Sequence, residues 1–342
     1  MKAALLSSCD EAIPILLVTI DTEGDNLWQN KTEIITTQNE RFLPRFQSLC
    51  ESYEIKPTYL VNYEMATSEQ FQDFGLDILK GRVGEIGMHL HAWNTPPLTP
   101  LTKNDFLHHP YLTEYPLDLI QRKIAFMTHL LEDTFGVKIV SHRAGRWGFN
   151  EAYARILVQH GYHVDCSVTP HVSWKAQIGA PNLGGGPDFT NFSEIAYFVD
   201  VNDISKPGNS DLLEVPVTIL PRPVEIPKIT RPIMERVPQI SAAWDHFFPP
   251  EWLRPTGGNG RKLIRVARYA LLKRRECIEF MLHSSELMPG GSPNFRTDAD
   301  IETLYSGLET FFAFTRGKFS AMTLEEYYQY KTKGGSRTFR GD

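Results

Sequence analysis

No stretch of the 342-residue chain approaches the roughly 18 consecutive apolar residues that a membrane-spanning helix requires. Residues 1–8 are too short a hydrophobic run for an export signal, and Cys9-Asp10-Glu11 interrupts them. Cysteine is scarce. Cys9, Cys50, Cys166 and Cys277 are scattered without metal-type spacing, which fits a reducing compartment and makes a cytoplasmic location the expectation. Positive charge is in deficit, with 35 lysines and arginines against 41 aspartates and glutamates, so the net charge of −6 gives no reason to expect nucleic acid as a partner. A phosphate loop is also missing: Gly184-Gly185-Gly186-Pro187 has neither the spacing nor the lysine of one. There is no convincing internal repeat and no obvious linker.

What the chain does have is a series of buried strands. Pro14–Ile20 is continuously apolar, the pattern of a strand covered on both faces. Similar segments follow at Pro57–Asn62, Glu85–His91, Lys138–His142, Tyr162–Val168, Leu212–Ile219 and Cys277–Leu282. Between them the apolar spacing predicts helices over 40–53, 68–80, 116–135, 150–161, 260–275 and 298–315, the third stopped by Gly136 and the fourth capped by Asn150. Thr323-Leu324-Glu325-Glu326 is a capping box opening a short last helix. Arginines and lysines stud 260–275, read as the solvated face of an outer helix, with an anionic polymer or membrane surface as the sharper alternative. Seven strands separated by helices or long crossovers predict an α/β fold, a distorted (β/α) barrel of seven or eight strands. It is expected to occupy residues 1–342 as a single domain, with loop or lid insertions at about 170–210 and 221–255.

In such barrels functional side chains sit at the C-terminal ends of strands. Asp21, Glu23 and Asp25 follow the first strand, His89 and His91 end the third, Arg143 follows the fourth and His283 the seventh. Residues two apart on a strand face the same side, so His89 and His91 can converge on one ion. With an oxygen ligand they make the three-ligand, open site of a catalytic zinc. Glu23 is the candidate ligand, with Asp21 or Asp25 as alternatives. Asp21 is then the base for an activated water, Arg143 holds Asp21 ionised and oriented, and His283 is the acid that protonates the leaving group. Trp93, Arg146 and Trp147 are the candidate substrate-binding residues, and aromatic faces such as Trp174 suit sugar rings. His108-His109 lies in a proline-containing loop and is expected to be solvent-exposed.

The assembled residues resemble the polysaccharide deacetylase (NodB-homology) family of metal-dependent deacetylases. Thr19-Ile20-Asp21-Thr22-Glu23 is similar to its first motif and Gly87-Met88-His89-Leu90-His91 to its second. His142-Arg143-Ala144-Gly145-Arg146-Trp147 is similar to the third, and Met281-Leu282-His283 to the fifth. The likeness extends over most of residues 14–330. Two departures mark a divergent branch: the family's histidines stand four apart, where here the +4 position is Trp93, and Thr22 separates two acids that are often adjacent. The resemblance implies a divalent metal, most simply Zn2+, a carbohydrate or other N-acyl substrate, and hydrolysis of a non-peptide amide. It also implies an acidic partner for His283, for which Asp165 is the match.

Two other readings compete. An amidohydrolase-type barrel also uses two histidines one residue apart, but after its first strand, where this chain carries acids. A metal-free barrel that binds glycans without turnover is disfavoured by the intact Asp21, His89, His91 and His283 set.

Overall fold

The computed structural model describes residues 13–27, 35–177, 179, 185–221 and 250–333. The strands are β1 (Ile15–Thr22), β2 (Thr58–Val61), β3 (Glu85–Leu90), β4 (Ser141–Ala144), β5 (Val164–Asp165), β6 (Tyr197–Asp200), β7 (Asp203–Pro207), β8 (Leu213–Glu214), β9 (Ile219–Leu220), β10 (Glu251–Trp252), β11 (Cys277–His283) and β12 (Ser320–Met322). The helices are α1 (Leu43–Ser52), α2 (Tyr63–Ala66), α3 (Glu69–Gly81), α4 (Asp105–His108), α5 (Leu117–Phe135), α6 (Glu151–Gln159), α7 (Gly260–Leu272), α8 (Asp298–Thr315) and α9 (Leu324–Lys333).

One curled sheet runs β11-β1-β2-β3-β4-β5-β8-β6-β7, and β12 pairs with the start of β1. Its first seven members are parallel and are the seven strands expected from the apolar runs. This is the expected α/β, distorted (β/α) barrel. It is open along one seam, between β8 and β11, which irregular backbone crosses: Thr218 donates its N–H to the Glu279 carbonyl at 3.2 Å, and Met281 donates to the Leu253 carbonyl at 3.2 Å.

Strand alternation sorts each strand into two faces. On β1, Leu16, Val18 and Ile20 point outward into the large core shared with the helices. Ile15 and Leu17 point inward to a small apolar cluster with Leu60, Val164, Leu213 and the α9 residues Leu324 and Tyr327, which close the N-terminal end of the barrel. The same inward row continues through Thr19 and Asp21. The barrel interior therefore changes along its axis from an apolar plug to a polar rim.

Several helix ends follow the capping chemistry of the sequence. The Asn150 side chain accepts from the Tyr153 N–H, and Gly136 (φ 67°) ends α5 in the left-handed region. Thr323 and Glu326 exchange the two capping-box bonds at 3.2 and 3.1 Å. The basic residues Arg261, Lys262, Arg265 and Arg268 are exposed on the outer face of α7; Arg275, just beyond it, is instead buried and paired with Glu194.

Boundaries differ in places from expectation. The fourth strand begins three residues later than predicted, because the Ile139 N–H is taken by Glu132. The sixth splits into β8 and β9, interrupted near Pro216, and β9 turns to pair antiparallel with β10. The stretch expected to be irregular after β5 contains the β6–β7 hairpin, which joins the sheet through β8. Most of the proline-rich insertion at 221–255 lies outside the described residues, as do Gly184 and the segment around Cys9. No helix among the described residues is long and apolar enough to cross a membrane.

Candidate active site

The sheet register brings the polar residues together. Asp21 lies opposite His283 across β1–β11, and His89 opposite Arg143 across β3–β4. Gly87 is the smallest residue of the inward row of β3 because nothing larger fits: a Cβ there would lie 2.8 Å from the Ser141 carbonyl and 2.8 Å from Leu60.

His89 and His91 point into the barrel mouth together, with 2.9 Å between their Nε2 atoms. Glu23 Oε2 is 2.9 Å from His91 Nε2 and 3.5 Å from His89 Nε2. Ligand atoms of these three buried residues all lie within 4.8 Å of one another, a group that can hold a metal ion. The donor chemistry fits a zinc-type ion. His89 Nδ1 lies 2.9 Å from the Arg143 carbonyl, which fixes the ring proton there and leaves the Nε2 lone pair facing Glu23 and His91.

Of the alternative acids, Asp25 is spent elsewhere. Its two oxygens accept from the Thr36 hydroxyl and from the Gln38 and Asn39 amides. Asp21 is held by Arg143, whose Nη1 is 2.6 Å from Oδ1. The Arg143 side chain is fully buried in the barrel centre, with Nε on the Cys166 carbonyl (3.0 Å) and Nη2 on Thr19 Oγ1 (2.9 Å) and Glu279 Oε1 (2.5 Å). Burial works to raise the Asp21 carboxyl, but the charges of Arg143, His89 and His283 outweigh it and hold Asp21 below the usual carboxylate range. Glu23 behaves likewise: burial raises it, while His283 and the bonds from His89 and His91 bring it well below its ordinary value.

His283 faces both acids, its Nε2 3.6 Å from Asp21 Oδ2 and 3.7 Å from Glu23 Oε1. Its surroundings depart from the sequence expectation. Asp165 is not its partner; it sits on the outer face of the sheet, 2.6 Å from Nδ1 of His142, to which it lies opposite in the β4–β5 register. The acidic neighbour of His283 is Glu286, one turn on, with Oε2 3.5 Å from Nδ1 and 2.9 Å from the His283 amide. Arg254 bridges the two, its Nη2 3.0 Å from His283 Nδ1 and 3.0 Å from Glu286 Oε1. Because a guanidinium only donates, Nδ1 here accepts and the ring proton resides on Nε2, facing the carboxylates. Burial raises Glu286, but Arg254 and His283 overcome it and bring the carboxyl down to about 2.

These groups line a pocket of about 380 Å³, walled by Trp93, Phe106, Tyr111, Arg146, Trp147 and Trp174. Trp147 and Trp174 stack at 6.3 Å and 18°, and Trp252 packs against Trp147 at 5.9 Å. Arg146 and Trp147 are both left-handed (φ 52° and 63°), which turns them from the end of β4 toward the pocket. The structure thus brings Asp21, Glu23, His89, His91, Arg143, His283 and the three substrate-binding candidates Trp93, Arg146 and Trp147 to one end of the barrel. Of the pair expected to be solvent-exposed, His108 is exposed, whereas His109 is half-buried and packs against the Tyr115 ring. Sequence reasoning missed Arg254, Glu279 and Glu286; the last carries one signal, the i+3 spacing from His283 that closes a capping-box-like turn.

No family model matches the chain, and no curated protein matches it. Solved structures do. A Mycobacterium smegmatis protein assigned as a polysaccharide deacetylase superposes with a TM-score of 0.54 at 14% identity, over 97% of this chain and 95% of that one. A Parabacteroides distasonis protein assigned as a glycoside hydrolase/deacetylase gives 0.59 at 9% identity, over 95% and 73%. The 4-alpha-glucanotransferase of Thermococcus litoralis gives 0.52 at 12% identity, over 92% of this chain and 40% of that one. The chain therefore shares with these structures its α/β fold, a distorted (β/α) barrel.

Proposed function

We propose that the protein is a metal-dependent hydrolase that removes an acyl group, N-acetyl in the simplest case, from a sugar or saccharide. The observation that carries this is the convergence of Glu23, His89 and His91 beside an Asp21 held by Arg143, across the pocket from His283. Fold alone would not suffice, since a glucanotransferase shares it. The likeness to proteins assigned as polysaccharide deacetylases supports a saccharide amide, and the tryptophan wall supports a sugar ring.

Glu23, His89 and His91 would hold the cation, and two imidazoles with one carboxylate suit zinc. When bound, such a cation supplies Lewis-acid activation of a carbonyl oxygen and of water. Asp21 takes the proton of the attacking water. Arg143 occupies Oδ1, so that Oδ2 is the basic atom, and keeps the carboxylate ionised in a buried site. The neutral ring accepts from Arg254 at Nδ1; protonated there, toward Glu286 3.5 Å away, His283 becomes the acid and donates from Nε2 to the departing nitrogen. The shape of the pocket orients the acyl group between these two.

The test is metal analysis of the purified chain together with acetate release from a panel of N-acetyl sugars and oligosaccharides. Stoichiometric zinc, with release abolished by chelation and restored by metal, is expected. Saccharide binding that survives chelation in a metal-free, inactive protein would replace this reading by the glycan-binding one.

A further inference from the structure

Among the described residues, Arg143 behind the pocket and Arg254 at its wall have carboxylate partners. Arg143 lies between Asp21 and Glu279, and Arg254 is paired with Glu286. Arg146 differs. Among the described residues no carboxylate lies within ion-pair distance of it, although its side chain is half-buried and lines the pocket. Its guanidinium carbon is instead 4.9 Å from the centre of the Phe106 ring and 5.5 Å from that of Trp93.

Aromatic contacts of this kind hold a guanidinium over ring faces without saturating its in-plane N–H donors. The backbone adds a second indication. Arg146 and the following Trp147 both adopt left-handed φ values that cost energy in residues with a Cβ, and such strain is retained where the surroundings fix a side chain for use. Gly145, just before them, presses on the end of β3, where a Cβ would meet the Leu90 carbonyl at 2.5 Å. The turn is thus fixed against the strand that carries His89 and His91, and so is the position of the arginine relative to them. A partly desolvated cation that feels Glu23 and Glu114 only from beyond ion-pair distance still has its in-plane donors open to an anion, and the planar fork of arginine matches carboxylate and phosphate oxygens.

We propose that Arg146 is the anion-recognising group of this pocket, and that the substrate is an acylated amino sugar bearing a carboxylate or a phosphate. The acylated-sugar half of this statement rests on the function proposed above; the anionic half rests on Arg146 alone. Phe106 and Trp93 hold the guanidinium in place, and the anionic substituent enters between it and the Trp147–Trp174 wall.

Binding of three probes to the full-length, metal-loaded chain tests this by calorimetry: N-acetylglucosamine, N-acetylglucosamine 1-phosphate and N-acetylmuramic acid. At least one anionic probe is expected to bind roughly tenfold or more tighter than the neutral one, as a charge-assisted guanidinium contact implies. That preference should weaken with salt, vanish in Arg146→Gln and persist in part in Arg146→Lys. Which anionic probe is preferred separates phosphate from carboxylate. Equal binding of neutral and anionic probes, no binding of any, or an equal loss for all three in Arg146→Gln would overturn the proposal and leave Arg146 a packing residue. Acetate release measured in parallel is a separate readout. Anionic preference without release keeps the Arg146 assignment and removes the hydrolase, and release without preference does the reverse.

Discussion

At the scale of single residues, Asp21 and Glu23 have near-identical chemistry and different neighbours, and the neighbours divide their roles. Asp21 faces a guanidinium and Glu23 faces two imidazoles. Asp21→Asn should abolish acetate release while the protein still binds one metal ion per chain, measured by elemental analysis. Loss of the ion as well would make Asp21 a ligand. Glu286 gives a pH test. Its carboxyl is brought from an ordinary 4.5 to about 2 in the folded state, so its contribution is complete above pH 4.5 and disappears as pH falls from there toward 2. A depression of that size in a fully buried group corresponds to about 3 kcal/mol. Urea unfolding of Glu286→Gln should therefore lose less stability than wild type between those pH values, and parallel pH profiles would refute the assignment. What was legible here was local. His89 and His91 share a face by strand periodicity, so their convergence could be read from spacing. Glu279 and Arg254 meet their partners only through the closing of the sheet, and nothing near them in sequence announces it. Asp165 departs from its expected place beside His283 because a carboxylate on a strand can face either way, and the register sets it against His142.

At the scale of elements, β3 depends on its glycine. The inward row Glu85, Gly87, His89, His91 has to pass close to β4 and β2, and at Gly87 there is no room for a side chain. Gly87→Val should displace Ser141 backbone or Leu60, costing about 1–3 kcal/mol by overpacking, and should weaken metal binding by moving His89. Denaturant unfolding and metal titration of the same variant check both; normal metal affinity would show that β3 absorbs the side chain without moving its end. Long apolar runs made the seven parallel strands readable from composition. The β6–β7 hairpin and β12 were not, because short strands such as Asp203–Pro207 and Ser320–Met322 mix polar and apolar residues and owe their form to the edges they join.

At the scale of the whole molecule, the barrel was legible as an ordered set of strands, and its open seam was not. Closure there rests on Thr218, beyond the break near Pro216 in an expected strand, and on Leu253, in backbone with no strand pattern. A resident ion would tie together Glu23 after β1 and the end of β3, so metal binding should stabilise the entire fold. Saturating zinc at about a thousand times its dissociation constant is expected to add about 4 kcal/mol and raise the melting temperature. In the proposed site a proton would compete with the ion for His89: burial lowers its proton affinity, but Asp21 and Glu23 raise it above the ordinary histidine value. The zinc-induced rise should accordingly shrink as the solution is acidified and be absent in His89→Ala, read by scanning fluorimetry across pH. A rise unchanged in His89→Ala would put the ion elsewhere.

The pairing of β1 with β11 also has a consequence for synthesis. Asp21 leaves the ribosome more than 260 residues before His283, its opposite number, and β1 cannot fill that edge until Cys277–His283 has been made. For most of translation the nascent chain carries a bare, strongly apolar strand margin of the kind that invites association with other chains. Chaperone dependence during elongation, and insolubility of any product cut short before residue 277, follow from this late zipping.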